Sequence, residues 1–134
     1  MKNKRNKDRQ SRPQPSARPK ISQSLWDFAG DLIRMGETLE QRQSYLNAAC
    51  SAWNIACNLP EVRKKRLDHY MREYLKFNLN SDQEQLARVR SNMEKLIEAK
   101  LKMFPHDLRQ VVQAQIINVG GQERIEAAAM SVEP

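Results

Sequence analysis

Apolar residues recur at three- and four-residue steps along most of this chain, and the runs mostly open on a capping pair and close on glycine, asparagine or proline. That pattern constrains the fold more than any other feature, because a 3.6-residue period can bury one face only as a helix. Ser24 with Asp27, Thr38 with Gln41 and Ser81 with Glu84 form capping boxes, in which side chains satisfy the first free amides of a helix. Leu25, Phe28 and Leu32 follow the first box up to Gly36. Leu39, Leu46, Ala49, Cys50, Trp53, Ala56 and Cys57 follow the second, up to Asn58. Pro60 suits the first turn of a third helix striped by Leu67, Tyr70, Met71, Tyr74 and Phe77. The fourth carries Leu86, Val89, Met93, Leu96, Ile97, Leu101 and Phe104, and ends at Pro105.

Beyond Pro105 the signals compete. Val111, Val112, Ile116 and Ile117 are β-branched, which favours a strand, yet strict alternation fails at Val111-Val112 and again at Ile116-Ile117. With Asp107 as a cap and Leu108, Val111, Val112, Ile116 and Val119 at helical spacing, the expectation is a fifth helix stopped by Gly120 and Gly121. The fold class read from sequence is therefore all-α, a compact bundle of about five helices over residues 23–121. A basic tail precedes it over 1–22, and a loosely ordered C-terminal tail follows over 122–134.

The formal charge of +7 resides at one end. Residues 1–20 hold Lys2, Lys4, Arg5, Lys7, Arg9, Arg12, Arg18 and Lys20 against Asp8, or 8 − 1 = +7, while residues 21–134 hold 15 basic and 15 acidic side chains. Pro13, Pro15 and Pro19, with one apolar residue besides Met1, leave this tail too little surface to bury to offset its ordering entropy, so it is expected to be disordered. The prolines also argue against an amphipathic targeting helix. A secretory signal is not expected, since no apolar stretch follows the basic start, and no run approaches the roughly 18 apolar residues of a membrane span. A cytoplasmic, reducing setting follows as the expectation for Cys50 and Cys57, which sit about 10 Å apart along one helix and cannot bridge each other there.

No glycine-rich phosphate loop, HExxH or CxxC is present. Cys50, Cys57, His69 and His106 lack the spacing of a zinc module, and Arg66 and Met103 stand where a di-iron bundle needs glutamate three residues before histidine. Neither a cofactor nor a metal is expected. The segment "PEVRKKRLDHYMREYLKF", residues 60–77, raises a sharper question. It places Arg63, Lys64, Lys65 and Arg66 at a helix start, where the helix dipole is itself positive and a cation is disfavoured unless something negative lies near. Acidic residues of the first helix, Asp27 or Asp31, could supply that charge, or a bound anion could.

Arg63 and His69 enclose five residues, which resembles the Arg-x4–6-His motif of the HEPN ribonucleases. Those are small helical domains that act on RNA as dimers, with the Arg and His of two protomers across one cleft. The resemblance implies a ribonuclease with Arg63 and His69 at its centre. It covers these two residues, and Lys64 departs from the small polar residue usual after the arginine. The composition favours a different reading: a non-enzymatic accessory or regulatory protein whose basic arm contacts nucleic acid without sequence specificity, or an acidic partner, with residues 63–66 as a second patch. The alternative is a protein–protein adaptor acting through the bundle surface, which exposure of Trp26 or Trp53 would favour. A homo-oligomer or hetero-complex is compatible with either. Limited trypsin digestion of the free protein should trim it to about Lys20 and leave a resistant remainder; protection of the first 20 residues without a partner would contradict the disordered tail.

Overall fold

A computed structural model describes residues 19–131, so the expected disorder of the tail falls largely outside the described residues. Four helices come first: α1 (Ile21–Arg34), α2 (Leu39–Ala56), α3 (Pro60–Phe77) and α4 (Gln83–Met103). Two strands follow, β1 (Gln110–Val119) and β2 (Gln122–Met130), paired antiparallel. The all-α, five-helix expectation is therefore wrong. The fifth element is a strand, and the segment expected to be loose is its partner.

The physical reason lies in two local features. Val112 has no partner in the register, which passes from Val111↔Ala129 to Gln113↔Ala128. This one-residue bulge lets Val111 and Ala114 both face inward and breaks the alternation that a regular strand would show. Gly120 and Gly121 both adopt positive φ, +60° and +84°, the left-handed pair that a tight two-residue hairpin requires. They stop a helix equally well in sequence, and nothing local separates the two uses. Ile116 faces Ile125 on the inner side, while Ile117 sits opposite Arg124 on the outer side.

Helix starts also moved. α1 begins at Ile21 with no side-chain cap, so Ser24 is a buried interior residue rather than a cap and its hydroxyl has no hydrogen-bond partner. Thr38 caps α2 as expected, accepting from Gln41 N at 3.1 Å. Asp82, one residue past Ser81, caps α4 by accepting from Gln85 N at 2.8 Å. Asp107 caps no helix. It accepts from the Arg109 amide and pairs with the Arg109 guanidinium, turning the chain into β1.

Two cores share α2. On one side Leu25, Phe28, Ala29 and Ile33 of α1 meet Leu46, Ala49 and Trp53 of α2 and the inner face of the hairpin, where Val111 is buried. On the other, Ala52, Ile55 and Ala56 of α2 meet Leu67 of α3 and Met93 and Ile97 of α4. Trp53 is fully buried, edge-on to Phe28 with ring centroids 5.6 Å apart and tilted against Phe104 at 5.4 Å; its indole N–H donates to Arg109 O at 2.8 Å. Half-buried Trp26 is covered by Arg34 at 5.1 Å.

The outer edge of β1 is held by amides from α2. Asn54 donates to Val111 O at 2.9 Å and accepts from Val111 N at 2.7 Å, and Gln43 does the same for Ala114 O and Ile116 N at 3.2 and 2.9 Å. Each amide stands in for one residue of a missing neighbouring strand. Arg42 then reaches Glu123 with a two-pronged bond, 2.8 and 2.6 Å, tying the start of α2 to β2. Gly36 makes the α1–α2 turn possible, since a Cβ there would come within 2.7 Å of the Arg42 side chain and 2.8 Å of its backbone N. Asn54→Ala should cost about 2–3 kcal/mol in urea unfolding, because it strips both partners from a buried strand residue, whereas Asn92→Ala on the exposed face of α4 should change little.

Candidate nucleic-acid interface

The third helix leaves the second across a turn of only a few residues, so the C-terminus of α2 lies beside the N-terminus of α3. That adjacency supplies what the cations at 63–66 lack in sequence. The negative end of the α2 dipole faces them, and Arg63 Nε donates to Asn58 O at 2.8 Å, while Asn58 Nδ2 donates to the Asn54 and Ile55 carbonyls at 3.0 and 3.2 Å. Asp27 and Asp31 play no part. Gln23 donates to Asp27 and Arg34 donates to Asp31, both within α1.

The four cations separate by role. Arg63 is half-buried and bound to the end of α2. Lys64 lies 3.9 Å from Asp68, whose carboxylate also accepts from Arg90 of α4 at 2.8 Å. The Arg90 hydrogen bond, aided by Lys64, holds the Asp68 carboxyl below its ordinary range. Lys65 and Arg66 are exposed, and among the described residues no carboxylate oxygen lies within the 4.0 Å of an ion pair from either.

Helical spacing extends the row of exposed basic side chains along α3. Lys65, His69, Arg72 and Lys76 fall at steps of four, three and four residues, all exposed, on one stripe about 16 Å long. Arg72, like Lys65, has no carboxylate in ion-pair range among the described residues, and Lys76 donates to Glu73 at 3.0 Å. Arg66 flanks the stripe and joins His69, Tyr70 and Glu73 along an open groove that Ser51 and Asn54 of α2 and Asn58 of the α2–α3 turn help to complete. Of these, Tyr70 is half-buried, and burial pushes its hydroxyl pKa up. Phe77, expected in the core, is 83% exposed, and Leu79 in the following turn is 79% exposed. The sequence shows the stripe once the register of α3 is fixed, but attention to the four consecutive cations conceals it.

Of the other expected contact residues, Lys20 is exposed at the start of α1, and Lys2, Lys4, Arg5, Lys7, Arg9, Arg12 and Arg18 lie outside the described residues. Arg63 and His69 do not converge within one chain. Arg63 lines the groove between α3 and α4 with Leu67, Arg90 and Ile97, whereas His69 lines the groove against α2.

A second cluster lies inside the fold. Lys100 of α4 has no exposed surface, yet its ammonium donates to the carbonyls of Phe104, at 2.9 Å, and Asp107, and sits 4.8 Å from the Trp53 ring. Desolvation lowers its pKa, opposed by Cys57 and Asp107. Burial pushes the Cys57 thiol up, and the neighbouring Lys100 draws it back. Cys50 is pushed up to about 11 by burial alone. Both cysteines are free thiols, and among the described residues no group of three or more His, Cys, Asp and Glu could hold a metal ion. Among the same residues no helix is long and apolar enough to cross a membrane.

No protein-family model matches the chain, and neither a curated protein nor a solved structure matches it significantly.

Two outcomes follow from these environments. Lys100→Met should cost about 2–4 kcal/mol in stability, because it removes a charged donor from two carbonyls in the interior, without weakening any contact made on the outer face of α3. Cys50, with its pKa near 11, should alkylate with iodoacetamide at pH 8 roughly 100-fold more slowly than an unperturbed thiol. Its rate should climb about tenfold per pH unit until pH 11, read by mass spectrometry of the Cys50 peptide.

Proposed function

We propose that the protein is a non-enzymatic accessory or regulatory nucleic-acid-binding protein, whose α3 stripe and N-terminal arm together grip the phosphate backbone without reading sequence. The observation that carries this reading is the row Lys65, His69, Arg72 and Lys76, presented on a helix whose other side is fixed to α2 and α4. Its length of about 16 Å matches roughly five phosphates along one strand of a duplex. Arg66 widens the row toward the groove. Phosphates are the fitting anions because the cations are spaced along a line rather than gathered around one point, and because the side chains are long and mobile enough to follow a backbone.

The arm cations Lys2, Lys4, Arg5, Lys7, Arg9, Arg12, Arg18 and Lys20 add sequence-independent affinity and speed of encounter. A cytoplasmic location belongs to the same proposal, in keeping with two free thiols. A second reading, an adaptor acting through the bundle surface, draws on one observation: Phe77 and Leu79 stand exposed side by side with the α3–α4 turn. The ribonuclease reading has Arg63 and His69 on different grooves of one chain and needs a partner protomer to join them.

Fluorescence anisotropy with a labelled 20-base-pair duplex and a single strand of the same length, titrated over salt, tests the proposal. Each phosphate neutralised contributes about −0.9 to the slope of log affinity against log salt on duplex, so arm and stripe together should give about −5 to −8. Replacing Lys65 and Arg72 together by Glu should make the slope shallower by about 2 and weaken binding equally for unrelated sequences. Absence of salt-dependent binding at low ionic strength would overturn the proposal in favour of the adaptor. Loss of RNA over a long incubation that His69→Ala abolishes would return the protein to the ribonuclease reading.

A further inference from the structure

The two edges of the hairpin are treated differently. On β1 the outward amide and carbonyl of Val111, the carbonyl of Ala114 and the amide of Ile116 are taken by Asn54 and Gln43. On β2 no described residue outside the hairpin bonds to the backbone of Glu123, Ile125, Ala127 or Ala129. The two-residue turn makes Val119 and Gln122 a hydrogen-bonded pair, and bonded and non-bonded pairs then alternate along the register. Gln122, Arg124, Glu126 and Ala128 therefore spend their backbone groups on β1. Those of Glu123, Ile125, Ala127 and Ala129 point out of the free edge. The edge holds no proline, bulge or lysine, the usual devices that keep such a strand from pairing.

We propose that β2 pairs antiparallel with β2 of a second copy of this chain, across a two-fold axis at Ile125, to make one continuous four-stranded sheet. The charges select both the occupant and the register. Arg124 and Glu126 lie on the outer face, exposed, two residues apart and flanking Ile125. Centred on Ile125, each Arg124 stands directly opposite the Glu126 of the other copy, in the non-hydrogen-bonded position where side chains come closest. Ile125 meets Ile125, and Glu123 exchanges backbone bonds with Ala127. Centring on Ala127 instead would set Glu126 opposite Ala128 and Arg124 opposite Met130, with no charge paired. A centre on Glu123 would set the two Glu123 side chains against each other. Centres on Arg124 or Glu126 would set like charges directly opposite each other, Arg124 against Arg124 or Glu126 against Glu126, in the close non-hydrogen-bonded position. Opposite charges meet in the Ile125 register, and the strand is self-complementary there, as a two-fold interface requires.

Sedimentation equilibrium and light scattering on the full chain test this, with circular dichroism as the check on folding. The parent should be a dimer. Arg124→Glu should set two like-charge pairs across the axis and weaken the dimer by about tenfold or more, and Glu126→Arg should do the same. The double variant Arg124→Glu/Glu126→Arg exchanges the charges and should restore the dimer. Both positions of change lie on the exposed outer face, so the fold should persist in all three variants. A monomeric parent would overturn the proposal and leave β2 as an edge for a foreign strand. A dimer indifferent to both single changes, or one that the double variant fails to restore, would overturn it as well.

Discussion

Trp53 fixes the relation between the helical part and the hairpin. Its ring is the one surface shared by α1 through Phe28, by the end of α4 through Phe104 and Lys100, and by the entry to β1 through the carbonyl of Arg109. An indole can do this because it pairs a large apolar face with one donor at its edge. Lys100 completes the junction. Its long apolar stem crosses the core, and its ammonium collects the carbonyls that the end of α4 and the following turn would otherwise bury. A cation so placed is costly to desolvate, and the ring face and two carbonyls offset that cost. The six-residue connection between α4 and β1 is thereby tied to the core, and the hairpin packs onto α1 and α2.

The same economy of backbone groups governs the α3 side of the molecule. Antiparallel α2 and α3 place a negative helix end beside a positive one, so Arg63 can serve structure at the very turn where a cation is least favoured. Asp68 then gathers Lys64 and Arg90 and locks α3 to α4. Lys65, Arg66 and Arg72, which pair with no carboxylate among the described residues, lie on the outer side of α3 together with His69 and with Lys76, which pairs with Glu73. Structural cations and free cations thus alternate around one helix, and only the second set is available to a polyanion.

How much of this was legible depended on whether the signal was local. Helix existence was, because Leu46, Ala49, Trp53 and Ala56, or Met93 and Ile97, carry a period that burial alone explains. Helix starts were less so: Ser24 reads as a cap until the turn before it is seen to be helical. The hairpin was lost because a bulge at Val112 erases the two-residue period and because Gly120-Gly121 has the same appearance after a helix as inside a turn. Its stability comes from Gln43 and Asn54, distant in sequence, which no window around residues 110–130 contains. For the site, charge content was visible and its division was not. Which of Arg63, Lys64, Lys65 and Arg66 is free depends on Asn58 and Asp68, and on the close approach of α4.

The central claim is that the outer face of α3, rather than cationic surface in general, contacts nucleic acid. Lysine acetylation footprinting, read by mass spectrometry with and without a bound single-stranded oligonucleotide, addresses it residue by residue. The account predicts that Lys65 and Lys76 become several-fold slower to acetylate in the complex, while Lys95 and Lys102, also exposed but on α4, keep their rates. Unchanged reactivity of Lys65 and Lys76 in a saturated complex, or equal protection of all four lysines, would contradict it.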